Sequence, residues 1–153
     1  MCIRDRFQRQ SRDQKKLELV SVDAATLAQR VLITETSPTW VSIFDDLRFL
    51  GNDKFIWPSE RSGRKHLYLY DLNGKLLHPI SSGEWGIDKL LAVDEKNGRV
   101  FVQSNRDAVI DSQTYALKLD GSGADKPTRI TEGDGWHDSS FSRNGEVLSL
   151  IHI

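Results

Sequence analysis

Four short anchors recur in a fixed order along this chain, and a repeat constrains a fold more tightly than any single element does. A turn followed by a β-forming run appears as Asn52-Asp53-Lys54-Phe55, Asn97-Gly98-Arg99-Val100 and Asn144-Gly145-Glu146-Val147, at steps of 45 and 47 residues. Asn-Gly and Asn-Asp suit tight turns because these residues tolerate positive φ. An alternating run ending in a turn residue appears as Leu17-Glu18-Leu19-Val20-Ser21-Val22-Asp23, as Leu67-Tyr68-Leu69-Tyr70-Asp71-Leu72-Asn73-Gly74 and as Thr114-Tyr115-Ala116-Leu117-Lys118-Leu119-Asp120-Gly121. Its period of two argues for strands. Then come Ile33-Thr34-Glu35, Ile80-Ser81-Ser82-Gly83 and Ile130-Thr131-Glu132-Gly133, each followed by a tryptophan: Trp40, Trp85 and Trp136.

A spacing of 45 to 51 residues with about four strands per unit matches the blade of a β-propeller. The expected class is all-β: a partial propeller of about three four-stranded antiparallel blades, the first and last incomplete. Each unit reads as turn and strand, polar loop, second strand, turn, third strand, tryptophan and fourth strand, with Leu90-Leu91-Ala92-Val93 as one such fourth strand. Residues 23 to 30 carry helix formers (Ala24, Ala25, Leu27, Ala28) but occupy the place of a hairpin turn and are read as a long turn. The competing architecture, a β-sandwich with uneven strand spacing, does not explain four anchors keeping their order. Propellers close with typically four to eight blades. A three-blade arc leaves open strand edges, which invite association, so residues 7–147 alone are expected to be poorly soluble.

The two ends read differently from the repeat. Met1-Cys2-Ile3-Arg4-Asp5-Arg6 and Leu148-Ser149-Leu150-Ile151-His152-Ile153 resemble translations of the two complementary strands of a transposase adapter used in DNA library preparation. Residues 1–6 and 148–153 are therefore expected to be adapter-derived scars, leaving 7–147 as the propeller segment. Without Arg4, Asp5 and Arg6, two of the 21 basic and one of the 22 acidic residues go, and net charge moves from −1 to −2. The one cysteine, Cys2, goes as well, so the segment offers no disulfide framework and no thiolate metal site. No apolar run is long enough to span a bilayer. The small basic cluster Arg9, Arg12, Lys15 and Lys16 is interrupted by Asp13 and reads as a solvated strand edge or loop rather than a nucleic-acid patch.

Several strings resemble the C-terminal half of the propeller in dipeptidyl peptidase IV-like enzymes of the prolyl oligopeptidase family of serine peptidases. They are Gln8-Arg9-Gln10-Ser11-Arg12-Asp13-Gln14, Trp40-Val41, Asp46-Leu47-Arg48-Phe49-Leu50, Phe55-Ile56-Trp57-Pro58-Ser59-Glu60-Arg61-Ser62-Gly63, His66-Leu67-Tyr68-Leu69-Tyr70, Ser82-Gly83-Glu84-Trp85 and Phe141-Ser142. They run in order over essentially all of 7–147. The resemblance implies a longer parent in which the propeller caps a downstream α/β-hydrolase domain. That domain would use a Ser-His-Asp triad to release N-terminal Xaa-Pro or Xaa-Ala dipeptides. The propeller would restrict access and help bind the substrate. The resemblance further implies no cofactor, a homodimer as an allowed assembly and a bacterial periplasmic or cell-surface location. A non-catalytic propeller scaffold for binding is the alternative, and a related branch with other substrate preference is a third.

No Gly-x-Ser-x-Gly elbow occurs, and the segment is expected to be inactive alone. The paired glutamates that hold the substrate amine in the family have no counterpart here; Glu35 and Glu84 are single carboxylates near turns. The segment after Trp40-Val41 approaches the substrate cleft in family members, which makes Phe44 and Asp45 the substrate-cleft candidates. Relatives carry Phe-Arg in this region, whereas Asp45 follows Phe44 here. His66, His78 and His137 lack metal-ligand spacing; His66 is expected at a strand start beside Tyr68 and His137 in a loop. Glu132-Gly133-Asp134-Gly135 lacks the spaced acidic ligands of a calcium loop. Ser59-Glu60-Arg61 reads as a hydrogen-bond or ion-pair element that fixes a blade.

Overall fold

A computed structural model describes residues 4–107, 109–142 and 148–152. Among the described residues thirteen strands follow one another: β1 Arg4–Gln10, β2 Lys16–Asp23, β3 Gln29–Thr36, β4 Arg48–Leu50, β5 Lys54–Ser59, β6 His66–Asp71, β7 Leu76–Pro79, β8 Lys89–Asp94, β9 Arg99–Ser104, β10 Gln113–Lys118, β11 Thr128–Arg129, β12 His137–Phe141 and β13 Leu148–His152. They form four antiparallel meanders in chain order: β1-β2-β3, β4-β5-β6-β7, β8-β9-β10-β11 and β12-β13. Two complete four-stranded blades thus stand between two incomplete ones. Residues 24–28 form the β2–β3 turn, closed by Asp23 Oδ1 accepting from Ala25 and Thr26 N–H.

The phase of the repeat differs from the sequence reading. Leu90–Val93 does not complete the blade that contains Trp85. It is β8, which pairs with β9 and opens the next sheet. The equivalent strands β4 and β12 likewise open their own sheets. The turn at Asn52-Asp53 has both residues at φ 56°, as a tight β4–β5 connection requires. The third copy of that turn, at 144–147, lies outside the described residues.

Period two places alternate side chains of the second blade in two different cores. From β5 and β6, Phe55, Trp57, Tyr68 and Tyr70 face the first blade and pack with Leu17, Leu19, Leu32, Ile33 and Val41. Ile56, Leu67 and Leu69 face the third blade and pack with Ile80, Trp85, Ile87, Leu90, Val100, Val102, Tyr115 and Leu117. One seam is aromatic and the other largely aliphatic. Each buried side chain contributes about 1.5–3 kcal/mol against solvent exposure.

Pro58 sits inside β5, where a missing N–H is normally costly. Its partner is Leu67. Leu67 sends its N–H to Ser81 Oγ and accepts from Ile80 N–H, so the Pro58–Leu67 pair shares no hydrogen bond. Pro58 N therefore faces the β4 side, and β4 pairs only as far as Ile56. No donor is needed there.

A second repeated contact ties each blade to its predecessor at the outer strand. Gly74, at φ +83°, lies so near Leu32 of β3 that a Cβ would stand 2.1 Å from the Leu32 carbonyl oxygen. Gly121, at φ +77°, lies against β7, where a Cβ would stand 2.6 Å from the Pro79 carbonyl oxygen. In both places the residue two before the glycine accepts a side-chain hydrogen bond from the outer strand. Arg30 donates to the Leu72 carbonyl at 2.9 Å, and His78 Nε2 donates to the Leu119 carbonyl at 2.9 Å. These turns need glycine for two reasons: its left-handed φ and the absence of a side chain.

The three tryptophans share a sequence position but not an environment. Trp85 is 8 % exposed, whereas Trp40 is 65 % and Trp136 52 % exposed. Trp85 is covered by His66, whose ring meets it edge-on at 5.6 Å. His66 opens β6 and is buried, bonded to Ser81 Oγ (3.0 Å) and the Gly83 carbonyl (3.1 Å). His137 is a correction to the sequence reading: it opens β12 and is buried at 2 % exposure. Backbone pairing puts it there, with its N–H donating to the Ser112 carbonyl at 2.9 Å and its own carbonyl accepting from Gln103 Nε2.

Candidate functional site

Between the first two blades, at the end where β3 leaves toward β4 and β5 turns into β6, lies a groove of about 700 Å³. One wall is the β3–β4 connection, including Trp40, Val41, Ser42 and Phe44; the other is Glu60, Arg61 and Gly63.

Its charged centre is Glu35, near the end of β3. Glu35 Oε1 accepts from Trp57 Nε1 at 2.9 Å and from Arg61 Nη2 at 2.6 Å. The Arg61 guanidinium lies 4.4 Å over the Tyr68 ring, and its backbone N–H and Nε both donate to Ser59 Oγ. Burial opposes the charge on Arg61, but Glu35 and Tyr70 outweigh it and hold the pKa above its ordinary value. Burial raises the Tyr70 hydroxyl in turn, with Arg61 acting against it. Glu60 reaches the opposite wall, accepting from Ser42 Oγ at 2.9 Å. The Ser59-Glu60-Arg61 run therefore bridges two blades, one residue bonding to β3 and its neighbour to the β3–β4 connection.

That connection has little regular structure, yet it is held at several points. Gln10 Nε2 donates to the Val41 carbonyl, Val41 N–H to the Gln14 carbonyl and Gln8 Nε2 to the Phe44 carbonyl. At its far end Asp46 pairs with Lys65 at 2.5 Å, both side chains mostly buried at 14 % and 12 % exposure. Asp46 Oδ1 also accepts from Leu90 N–H at 3.1 Å, and Lys65 donates to the Asp88 carbonyl. Lys65 Nζ lies 4.6 Å over the Phe44 ring. One ammonium thus ties the loop, the second blade and the start of the third together. Burial raises the Asp88 carboxyl, with Lys65 opposing.

Phe44 lines the groove; Asp45 does not and points into solvent. Glu35, Trp40 and Arg61 are groove residues that sequence spacing did not bring together. Glu35 and Arg61 are 26 residues apart and meet only when blades stack. Glu84 lies outside the groove. In the basic cluster, Arg9 and Lys16 both pair with Glu18, each at 2.6 Å. Among the described residues no group of three or more His, Cys, Asp or Glu could hold a metal ion, and no helix is long and apolar enough to cross a membrane.

The chain is similar to several known proteins. It is 30% identical over 121 residues to the dipeptidyl-aminopeptidase B of Aspergillus niger, covering 78% of this chain and 13% of that one. It is 25% identical over 148 residues to the dipeptidyl peptidase 4 of Trichophyton rubrum, covering 93% of this chain and 19% of that one. The crystal structure of Porphyromonas gingivalis dipeptidyl peptidase 4 superposes with a TM-score of 0.85 at 27% identity, covering 95% of this chain and 20% of that one. The chain spans less than a fifth of the length of these curated relatives. The family model described as the dipeptidyl peptidase IV N-terminal region matches residues 4–152, so the chain belongs to that family.

Proposed function

We propose that this chain is a segment of the propeller domain of a serine-type dipeptidyl peptidase. In this reading the parent releases Xaa-Pro or Xaa-Ala dipeptides from peptide N-termini, and the groove between the first two blades forms part of the wall past which the substrate approaches. The observation that carries it is the Phe44 loop. An aromatic ring borders a groove at the loop end of the blades, and a mostly buried Lys65–Asp46 pair fixes it. A ring so held presents apolar surface at low entropic cost. Asp45, exposed beside it, would face the substrate entrance rather than the groove. The triad, the α/β-hydrolase domain and any dimer contact would lie in the rest of the parent. We further propose that residues 1–6 and 148–153 derive from adapter DNA. Among the described residues, 4–6 pair in β1 and 148–152 in β13; an adapter-encoded stretch beside a sheet edge has the same backbone N–H and C=O groups to satisfy.

The test is to recover the gene across both ends and express the parent. The reading expects a hydrolase domain with a nucleophile elbow followed by Asp and His, and cleavage of a Gly-Pro chromogenic substrate. Phe44→Ala should then raise KM several-fold with little change in kcat. Further blades followed by a stop codon would overturn it and leave a binding scaffold.

A further inference from the structure

Two Asn-Gly dipeptides close hairpins among the described residues, and their surroundings are opposite. Asn73-Gly74 closes β6–β7. There the Gly74 N–H donates to the Asp71 carbonyl at 3.0 Å, and the glycine is pressed against the Leu32 carbonyl. Asn97-Gly98 closes β8–β9 and is open. Asn97 is exposed, nothing lies within 4 Å of where a Gly98 Cβ would be, and the Gly98 N–H makes no hydrogen bond among the described residues.

That difference decides a reaction. In an Asn-Gly pair the glycine nitrogen attacks the asparagine Cγ. The new N–Cγ bond forms as the Cγ–Nδ2 bond breaks. The glycine N–H gives up its proton and the side-chain nitrogen leaves as ammonia. Solvent water then opens the cyclic imide at either carbonyl, yielding aspartate or isoaspartate, with no change of oxidation state. The nucleophile must lose its proton and the turn must bend to bring it to Cγ. At Gly74 a hydrogen bond holds the proton and packing blocks the bend. At Gly98 neither obstacle is present.

We propose that Asn97 is a site of spontaneous deamidation that loosens the third blade from its β8–β9 turn. Its product falls against a sensitive partner. Asp94 is buried and accepts from Asn97 Nδ2 at 2.7 Å, from Asn97 N–H at 3.0 Å and from Arg99 at 3.3 Å. The Asn97 bonds, with Arg99 behind them, hold the Asp94 carboxyl below its ordinary value. Conversion replaces the Nδ2 donor with a second carboxylate, so like charges meet where a hydrogen bond was. The isoaspartyl product also lengthens the turn backbone. The Asp94 clamp restrains the amide until then, so the folded turn reacts more slowly than an unfolded Asn-Gly.

The experiment incubates the 153-residue chain at mildly alkaline pH, natively and in urea, and maps peptides for the amide-to-acid mass gain and for isoaspartate. In urea Asn73 and Asn97 should convert at comparable rates; natively Asn97 should outpace Asn73 several-fold. An Asn73 that matches or exceeds Asn97 in the native chain overturns the proposal, as does an Asn97 left intact while the urea sample converts. Gly98→Ala keeps the backbone nitrogen but crowds its approach to Cγ, so it should slow conversion at Asn97 in urea; unchanged conversion would overturn the claim that the bare glycine makes this site reactive. Asn97→Asp supplies the product directly and should speed amide exchange in β8 and β9; exchange equal to the parent chain would overturn the loosening.

Discussion

The two faces of the third blade are built on different chemistry. Toward the second blade it presents Val100, Val102, Tyr115 and Leu117 to an aliphatic seam. Toward the fourth, it is stitched by polar groups. Thr114 Oγ1 and Ser139 Oγ share a hydrogen bond of 2.5 Å, and Gln103 Nε2 donates to Ser112 Oγ and the His137 carbonyl. Within the third blade, Gln113 Oε1 accepts from Thr131 Oγ1, whose oxygen accepts from Thr114 N–H, so the strand that carries the Thr114 contact is itself held by polar bonds. The Phe101–Phe141 stack, 4.5 Å between centroids, completes that side. An apolar seam loses stability in proportion to the atoms removed and the cavity left. A polar seam is stable only while each member has a partner, and a single deletion strands the other.

The largest effect should come from the aliphatic side. Leu67 is fully buried, and Leu67→Ala should cost about 2–5 kcal/mol, read by urea unfolding of the dilute chain through tryptophan fluorescence. A cost below that range would mean the seam collapses around the cavity. Next is the polar side. Ser139→Ala should cost about 1–3 kcal/mol by stranding the Thr114 hydroxyl. Adding Thr114→Val should cost less than the sum of the two single changes. Strict additivity in that double-mutant cycle would remove the distinction between the seams. Smaller still, Phe101→Leu should forfeit about 0.5–1.5 kcal/mol of ring stacking beyond area, and an unchanged midpoint would show that the polar bonds alone hold this side.

The last expectation concerns acid. Burial pulls the His66 imidazole below its ordinary value of 6.5, with nearby Arg64 adding to the effect and the Gly83 bond opposing it. The folded chain therefore binds this proton less readily than the unfolded chain. The stability owed to neutral His66 is complete above about pH 6.5 and is lost as pH falls below it. Since His66 covers Trp85, acid should weaken the aliphatic seam first. His66→Gln should flatten the decline in unfolding midpoint between neutral and mildly acidic pH; an unaltered slope would place the titrating group elsewhere.

The strands and their repeat were legible because period-two runs and turn residues are local signals. The phase of the blades was not. Which sheet owns β8 depends on whether Leu90 pairs backward or forward, and both choices leave the spacing unchanged. The burial of His137 was hidden for the same reason, since its partners Ser112 and Gln103 come from the preceding blade. At the groove, sequence position offers Phe44 and Asp45 together; Phe44 is in the lining and Asp45 stands exposed beside it. Ser59-Glu60-Arg61 reads as a bridging element from sequence, and the rings under Arg61, Tyr68 and Tyr70, come from its own hairpin; only its partner Glu35 is brought there by stacking.

The glycine contacts at the outer strands bear on how many blades a ring of this kind can hold. Blades are wedges, narrow at the axis and broad at the rim, and the angle of each wedge follows from how closely the rims approach. Gly74 meets the Leu32 backbone directly, and Gly121 meets the Pro79 carbonyl with the edge of the His78 ring beside it. Rim spacing is then set by the chain itself rather than by the size of a residue. A single methyl group at either place would open the wedge at its broad end. Repeated around a circle, such an error would leave a ring that no longer meets itself, so these two hydrogen atoms help fix the circumference.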